Sequence, residues 1–551
     1  MRQSIKTLLL NDIKLPNLSN WHQTKRRWSR YLPSFPKNSE ILSAYKSLLS
    51  DKKIQPNLQL EKTLKVRSIR TLSGVAPFAV MMKPNPCPGN CIYCVSEPGM
   101  PKSYMSDEPA AARAKQYLFD PQAQIISRIS QMEKTGHSPE KLQIIVIGGT
   151  FSAYPDNYKK QFLKAIFDTC NNAEVLLTNL SNQKRPSFKT KLSKNLISTK
   201  LNIPKTIQES QLINQSAKYR IIGMSIETRP DWITEAEVKL LRKYGVTKVQ
   251  MGVQALDEKI LKKINRGHSL EAVVKATKTL RNTGFKINYH FMPNLPGSNP
   301  DKDIQMAKLM FSDPRFKPDT LKIYPCIVLP NTELEKLYQQ GKYQSYSDDT
   351  LADTLIKIKQ QVPPYCRIDR LVRDITKNWT VSGTKKTNMR QLVHQQMRKQ
   401  NIICQCIRCR EVRNRVSSND QPKLNIMEYK ASDGKELFIT YEHENKLYAM
   451  LRLRFPDKKS QHNPLFPVLK NSALIRELHV FGLQAKISNS KSNFKKTAQH
   501  HSLGKKLITK AEEISRKNSF RKIAIISGVG VRNYYQKLGY QLKNSYMIKE
   551  L

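Results

Sequence analysis

Between Val75 and Pro364, short apolar runs alternate with longer amphipathic stretches, and this alternation restricts the fold of the 551-residue chain more than any other feature. The runs are APFAVMM, KLQIIVIGG, YRIIGMSIE, KVQMGVQ, FKINYHFM and TLKIYP, separated by segments with helical spacing such as EAEVKLLRKYG and LEAVVKATKTLRNTG. Strands alternating with helices build βαβ units, so residues 75–364 read as an α/β domain whose parallel sheet curls into a partial or full barrel. Ligands in such folds gather at the carboxyl ends of the strands.

The flanks differ in character. Residues 1–74 are polar and basic, with KRRWSR at Lys25 to Arg30 placing Trp28 among cations. That mixture suits base stacking and phosphate contact, and a short helical domain with a solvated basic face would read alike. Residues 182–206, rich in Lys, Ser and Asn, read as a basic insertion or long loop. A bridge at 365–416 precedes a second α/β block at 417–551, with strands in LYAMLRLRF, SALIRELHVFG and RKIAIISGVG.

Lys and Arg number 94 against 44 Asp and Glu, so 94 − 44 gives +50. An excess of this size points to a polyanion, nucleic acid first. No run approaches the length of a membrane span, and Asn11 and Asp12 interrupt the apolar patch near the N-terminus before a signal core is complete. The expectation is a cytoplasmic protein with no membrane partner.

Six of the nine cysteines fall in two tight groups, a pattern that reads as metal binding. Cys87, Cys91 and Cys94 stand in CPGNCIYC, directly after an apolar strand. A structural zinc site closes with four protein ligands, whereas three thiolates on a 4Fe-4S cluster leave one iron open. A zinc knuckle with a distant fourth ligand is the alternative. The C-x3-C-x2-C spacing after the first barrel strand resembles the radical S-adenosylmethionine (SAM) enzymes. That resemblance implies SAM chelated at the open iron and cleaved to a deoxyadenosyl radical. Gly148, Gly149 and Thr150, in GGTF, resemble the segment that holds the amino group of SAM. Glu227 and Arg229 in SIETRPD are suited to ribose hydroxyls and a carboxylate, or form a rim salt bridge, and Gln254 is a further polar group at a strand end.

In the last block, the order of strand, turn, helix, strand and tyrosine-bearing helix resembles the GNAT-type acetyltransferases. In that family the turn offers backbone amides to the pyrophosphate of acetyl-CoA. The turn here runs Gln499, His500, His501, Ser502, Leu503, Gly504, so a serine replaces the family's first glycine. A plain helix cap is the alternative for it.

The two halves together resemble the family of Elongator catalytic subunits, in a prokaryotic form. The segments that carry this are RTLSGVAPFAVMMKP, GHSPEKLQIIVIGGTF, SIETRPD, NRGH, LKIYP, RELHVFG and IAIISGVGVRNYYQKLGY. The family implies a radical SAM domain joined through a cysteine-rich zinc linker to a GNAT-type domain. It implies acetyl-CoA at Lys141, at Glu477, Leu478, His479 and Val480, at Leu503, Gly504 and Lys505, and at Tyr535, with Tyr534 and Lys322 as further catalytic candidates. Tyr535 would protonate the departing thiolate. The implied reaction takes a hydrogen from the methyl of acetyl-CoA, adds the carbon radical to carbon 5 of the wobble uridine in the tRNA anticodon loop, and hydrolyses the thioester. An electron donor for the cluster is required. Whether the chain works alone, as a homodimer or with other Elongator subunits is left open.

Cys404, Cys406 and Cys409 in CQCIRC supply three zinc thiolates, with His394 and Cys326 as candidates for the fourth ligand; reduced or reactive thiols are the alternative. The neighbouring Arg408, Arg410, Arg413 and Arg415 are candidates for facing tRNA phosphates. Two other functions fit parts of the chain: a tRNA-binding protein with a decayed acetyltransferase half, and a protein lysine acetyltransferase.

Overall fold

In the computed structural model the described residues are 4–12, 21–66, 71–181, 201–373, 375–413, 415–417, 419–482 and 502–551. Most of the proposed 182–206 insertion, and Gln499, His500 and His501 of the turn, lie outside them.

Helices α1 (Ile5–Asp12), α2 (Trp21–Trp28), α3 (Asn38–Ser50) and α4 (Leu58–Leu64) form a small N-terminal domain. Its core includes Leu9, Trp21, Trp28, Ile41, Tyr45 and Leu64. Trp28 is therefore not a stacking residue: it is 1% exposed, meets Trp21 edge-on at 5.4 Å, and donates its indole N–H to Asp12 at 2.5 Å. A buried aromatic of this size contributes more to the small core than it would on a wet helix face.

Seven parallel strands follow in the order of the sequence: β1 (Val75–Met81), β2 (Lys141–Ile147), β3 (Arg220–Thr228), β4 (Lys248–Gln254), β5 (Lys286–Phe291), β6 (Thr320–Ile323) and β7 (Arg367–Arg370). β7 does not pair with β1, so the sheet is an open partial barrel. It extends past Pro364, because β7 reads RIDR and carries too little apolar character to announce a strand. Among the described residues no helix is long and apolar enough to cross a membrane.

The second sheet contains β8 (Lys423–Ala431), β9 (Gly434–His443), β10 (Lys446–Phe455), β11 (Ser472–Val480), β12 (Lys522–Ile525), β13 (Gln541–Lys543) and β14 (Tyr546–Glu550), ordered β13-β14-β12-β11-β10-β9-β8. β8 escapes a search for apolar runs because it is a largely exposed edge strand, whereas β9 is buried from Glu436 to Thr440 and its short LFI run was missed. The Ser432-Asp433-Gly434 turn between them, with φ of 47° and 61° at the first two residues, is the hairpin signal that marks them.

The second domain docks on the amino-terminal ends of the barrel strands. Asp319, just before β6, is fully buried and takes Arg476 at 2.5 Å through one carboxylate oxygen and 3.0 Å through the other. Arg476 also bonds Glu436 at 2.9 Å, and Glu436 accepts from Arg454 at 3.2 Å. Arg452 reaches the carbonyl of Tyr365 at 2.7 Å and Glu477 at 2.9 Å. Burial raises the pKa of Asp319, but Arg476, Arg452 and Arg281 outweigh it and hold the group far below the usual carboxylate range. The glycines of ISGVG have a packing reason: a Cβ on Gly528 would overlap the carbonyl of Ile222 in β3, and one on Gly530 would press on Arg220.

Removing one partner of such a buried network leaves uncompensated charge. Asp319→Ala is expected to cost about 3–5 kcal/mol, whereas Lys278→Ala, which breaks an exposed pair with Asp433, should cost about 0–1 kcal/mol. Melting temperatures of the two variants check this, and similar values would refute the docking role of Asp319.

Candidate active site

The inner face of the open barrel encloses a cavity of about 1360 Å³, lined at one extreme by Cys87, Cys91 and Cys94 and at the other by Glu477 and His479 of β11. The cysteines lie on the loop after β1. That loop is gripped by backbone bonds from Ile92 N–H to Ile264 (3.1 Å) and from Leu334 N–H to Ile92 (2.9 Å).

A tetrahedral zinc with Zn–S of about 2.3 Å would set its sulfurs about 3.8 Å apart. Among the described residues, Cys404, Cys406 and Cys409 come within 4.8 Å of one another, and the first triplet does not close that far. Its wider spread suits a multi-iron cluster better than one ion. Burial pushes the Cys94 thiol up to about 12, and Cys91 adds to the effect, so Cys94 needs nearby cations such as Lys102 to persist as a thiolate.

Gly149 and Thr150 line the same cavity, and the Thr150 hydroxyl is 3.7 Å from the Cys87 sulfur. Gly149 has φ of 92°, a conformation that any side chain would strain. The carbonyl of Gly148 sits 2.8 Å from the Tyr154 hydroxyl, which anchors the turn.

Glu227 does not pair with Arg229. It accepts from Tyr104 at 2.6 Å and from Lys322 at 2.9 Å, with His290 4.0 Å away. Burial raises its pKa, yet Lys322, His290 and Tyr104 hold it at about 2. Burial, reinforced by Lys322, lowers His290 to about 3, so its ring is neutral at physiological pH. Arg229 spends Nε and Nη2 on Asp231 (2.9 Å each) and Nη2 also on the Gly267 carbonyl (3.0 Å). Among the described residues four buried polar atoms of cavity-lining side chains have no hydrogen-bond partner: Arg229 Nη1, Gln254 Oε1, His290 Nε2 and Arg452 Nη1, the last 3.7 Å from Asp319 at the domain seam. Orphans of this kind are rare in folded proteins and mark a place for a polar ligand.

At the other end, β11 pairs with β12 only from Ser472 to Ile475, so the two strands part beyond that point. Glu477 and His479 face the cavity, while Leu478 and Val480 lie near Gly504 on the other side. The Tyr534 hydroxyl is 3.2 Å from where a Cβ of Gly504 would stand. Tyr535 is buried, edge-on to Tyr534 at 5.2 Å, and burial holds its phenol well above the usual range. Leu503 is buried and Lys505 exposed at the start of helix Leu503–Lys517. Ser502 occupies the N-cap position of that helix with a left-handed φ of 53°, and its side chain makes no capping hydrogen bond. Lys141 opens β2 at the end where the second domain docks, and burial with Arg220 beside it lowers its pKa.

At the second cysteine group, Lys359 Nζ lies 3.2 Å from Cys404 Sγ and His394 Nε2 lies 3.9 Å from Cys409 Sγ. Cys326 is buried elsewhere, near Asn294 and Tyr343, and drops out as a fourth ligand. Arg410 also drops out as a phosphate contact: it is 3% exposed and bonds Glu442 at 2.9 Å. Arg413 pairs with Glu411 at 2.7 Å, and Arg408 lines the cavity.

Tyr104, His290 and Arg266 were missed from the sequence as individual residues. His290 was accessible in principle, since alternation along FKINYHFM points it inward with Lys286. Tyr104 sits in a loop with no periodicity.

Residues 84–310 match the radical SAM superfamily and residues 318–399 the radical SAM C-terminal domain. The tRNA uridine(34) acetyltransferase of Dehalococcoides mccartyi is 38% identical over 88% of this chain and 99% of its own length. Elongator complex protein 3 of Saccharomyces cerevisiae is 35% identical over 89% of this chain and 85% of its own. The solved structure of archaeal Methanocaldococcus infernus Elp3 with an N-terminal deletion superposes with a TM-score of 0.70 at 35% identity, covering 87% of this chain and all of that one.

A left-handed non-glycine residue costs roughly 1–2 kcal/mol, partly offset in a glycine variant by about 0.5–1 kcal/mol of added unfolded-state freedom. Ser502→Gly should therefore leave the melting temperature unchanged or raise it slightly. A clear drop on thermal unfolding would contradict the strain assigned to Ser502.

Proposed function

Since the chain belongs to the tRNA uridine(34) acetyltransferase and Elongator complex protein 3 family, within the radical SAM superfamily, we propose that it carboxymethylates carbon 5 of the wobble uridine in tRNA, using SAM and acetyl-CoA. The observation that carries this reading is the single cavity that joins the cysteine loop to the parting of β11 and β12. Cys87, Cys91 and Cys94 would hold the 4Fe-4S cluster, and together with SAM the cluster would supply the radical that activates the acetyl methyl.

The remaining work falls to the protein. Arg229 Nη1 would take the carboxylate of SAM, with Gln254 and Gly148 to Thr150 holding its other polar groups. The Tyr104, Glu227 and Lys322 cluster lies between the two ends of the cavity, where it can orient the uridine. The gap beside Glu477 to Val480, closed by Gly504 and Tyr534, suits the pantetheine and acetyl group, with the amides of Leu503 to Lys505 toward the pyrophosphate and Lys141 nearby. Tyr534 approaches this gap from its exposed side, so we favour it over the enclosed Tyr535 as the proton donor to the thiolate. Zinc at Cys404, Cys406 and Cys409 would take His394 as its fourth ligand, because burial and Lys359 lower that ring to about 4 and leave it neutral.

The N-terminal helices would bind tRNA through exposed Arg26, Arg27 and Arg30. The aromatics available for stacking are Tyr31 and Phe35, 42% and 45% exposed, with Lys25 over the Phe35 ring at 5.1 Å.

Anaerobically reconstituted protein given SAM, acetyl-CoA and unmodified tRNA should yield 5-carboxymethyluridine by nucleoside mass spectrometry. Tight tRNA binding without product would favour the binding-protein reading instead. Cys91→Ala should abolish deoxyadenosine formation and leave tRNA affinity intact. A Cβ at Gly89 would overlap Arg229 Nη1, so Gly89→Ala should weaken SAM binding about tenfold, the loss of one charge-assisted hydrogen bond. Equilibrium SAM binding with iron content held constant measures this; unchanged affinity would remove Arg229 from the site.

A further inference from the structure

Arg266 lies beneath the cysteine loop and is 6% exposed. Its Nε and Nη2 both donate to the carbonyl of Gly252, at 3.1 and 2.6 Å, which fixes the plane of the guanidinium. Nη1 donates to Cys91 Sγ at 3.4 Å. Gly252 has a reason to be glycine, since a Cβ there would stand 2.8 Å from Arg266 Nη2.

The segment carrying this arginine also holds the cysteine loop. Ile264 accepts from the Ile92 N–H at 3.1 Å, and Asn265 donates its side-chain amide to the carbonyl of Asn90 at 3.1 Å. Two contacts to the loop backbone therefore set the distance from guanidinium to sulfur, where a lone flexible side chain would leave it free to drift. Among the described residues Arg266 is the arginine whose side chain is bonded to a sulfur of the triplet.

A cation that donates to a ligand thiolate draws charge from it and favours the more negative, reduced state of an iron–sulfur cluster. We propose that Arg266 sets the reduction potential of the cluster at Cys87, Cys91 and Cys94, acting through Cys91 as a positioning residue. The proposal rests on reading that triplet as a 4Fe-4S site.

The test reconstitutes wild type, Arg266→Gln, Arg266→Lys and Gly252→Ala anaerobically, measures iron and sulfide, and titrates each with a chemical reductant under electron paramagnetic resonance, without SAM. Arg266→Gln should keep its iron, but at the wild-type midpoint its ratio of reduced to oxidised cluster should fall about tenfold, about 59 mV for one electron. Arg266→Lys, which keeps the charge and loses the fork, should shift less. Gly252→Ala, which displaces the guanidinium without altering charge, should shift in the same direction. A wild-type potential in Arg266→Gln with full iron overturns the proposal. If that variant loses its iron, unchanged potentials in both Arg266→Lys and Gly252→Ala overturn it. Wild-type protein that takes up no iron overturns the cluster reading instead.

Discussion

Asp319 and Glu436 are carboxylates buried at the seam between the two sheets, and the arrangement of the site depends on the arginines that neutralise them. Arg476 bonds both, Arg452 lies 3.7 Å from Asp319, and Arg281 of the barrel lies 3.6 Å from Glu436. Desolvating these charges is unfavourable unless every partner is present at once, so the network tolerates one docking geometry and penalises its neighbours. The same network continues into function-bearing residues. Arg452 bonds Glu477, which also pairs with Lys286 at the start of β5. Glu477 thereby brings β11 to the open end of the barrel, and the gap beyond Ile475 faces the cavity. Radical chemistry gains from such rigidity, because a reactive intermediate has to meet its substrate before it meets water.

Every carboxylate that lines the cavity is paired: Glu227 with Lys322, Asp369 with Lys248 at 2.7 Å, Glu477 with Lys286, Glu411 with Arg367 and Glu108 with Arg373. Lysines and arginines outnumber these carboxylates fourteen to five along the lining, so the interior is net positive and attracts an electron-rich base or a carboxylate-bearing cofactor. The larger part of the +50 net charge still lies elsewhere on the chain, where it serves attraction over distance rather than chemistry. A long polyanion would be gathered by the outer charge, and the cationic interior would accept one base from it.

The barrel was legible because its strands are buried on one face by helices and so read as apolar runs. RIDR was not, because its side chains serve the charged cavity and a salt bridge to Glu411. The same trade hid residues of the site. Cys87, Cys91, Cys94 and the GGT turn advertise themselves by composition, whereas Tyr104 and His290 matter through where the fold carries them. Trp28 shows the opposite error: an aromatic among cations looked like a binding residue, and the small N-terminal domain used it as core.

The two cysteine groups, proposed above as a cluster site and a single-ion site, differ little in sequence. Both contain C-x2-C, and in both that half closes one turn, with Cys94 N–H bonded to Cys91 and Cys409 N–H bonded to Cys406, each at 3.0 Å. The third cysteine makes the difference. Cys404 is one residue removed from Cys406, whose own residue caps the short helix Ile407–Arg410, so the three sulfurs are drawn within 4.8 Å. Cys87 is separated from Cys91 by Pro88, Gly89 and Asn90. Gly89 is pressed against Arg229, and Asn90 is held by Asn265, so this stretch is fixed at both residues. The spacing of the intervening residues thus accompanies the closer approach of the sulfurs in the second group than in the first.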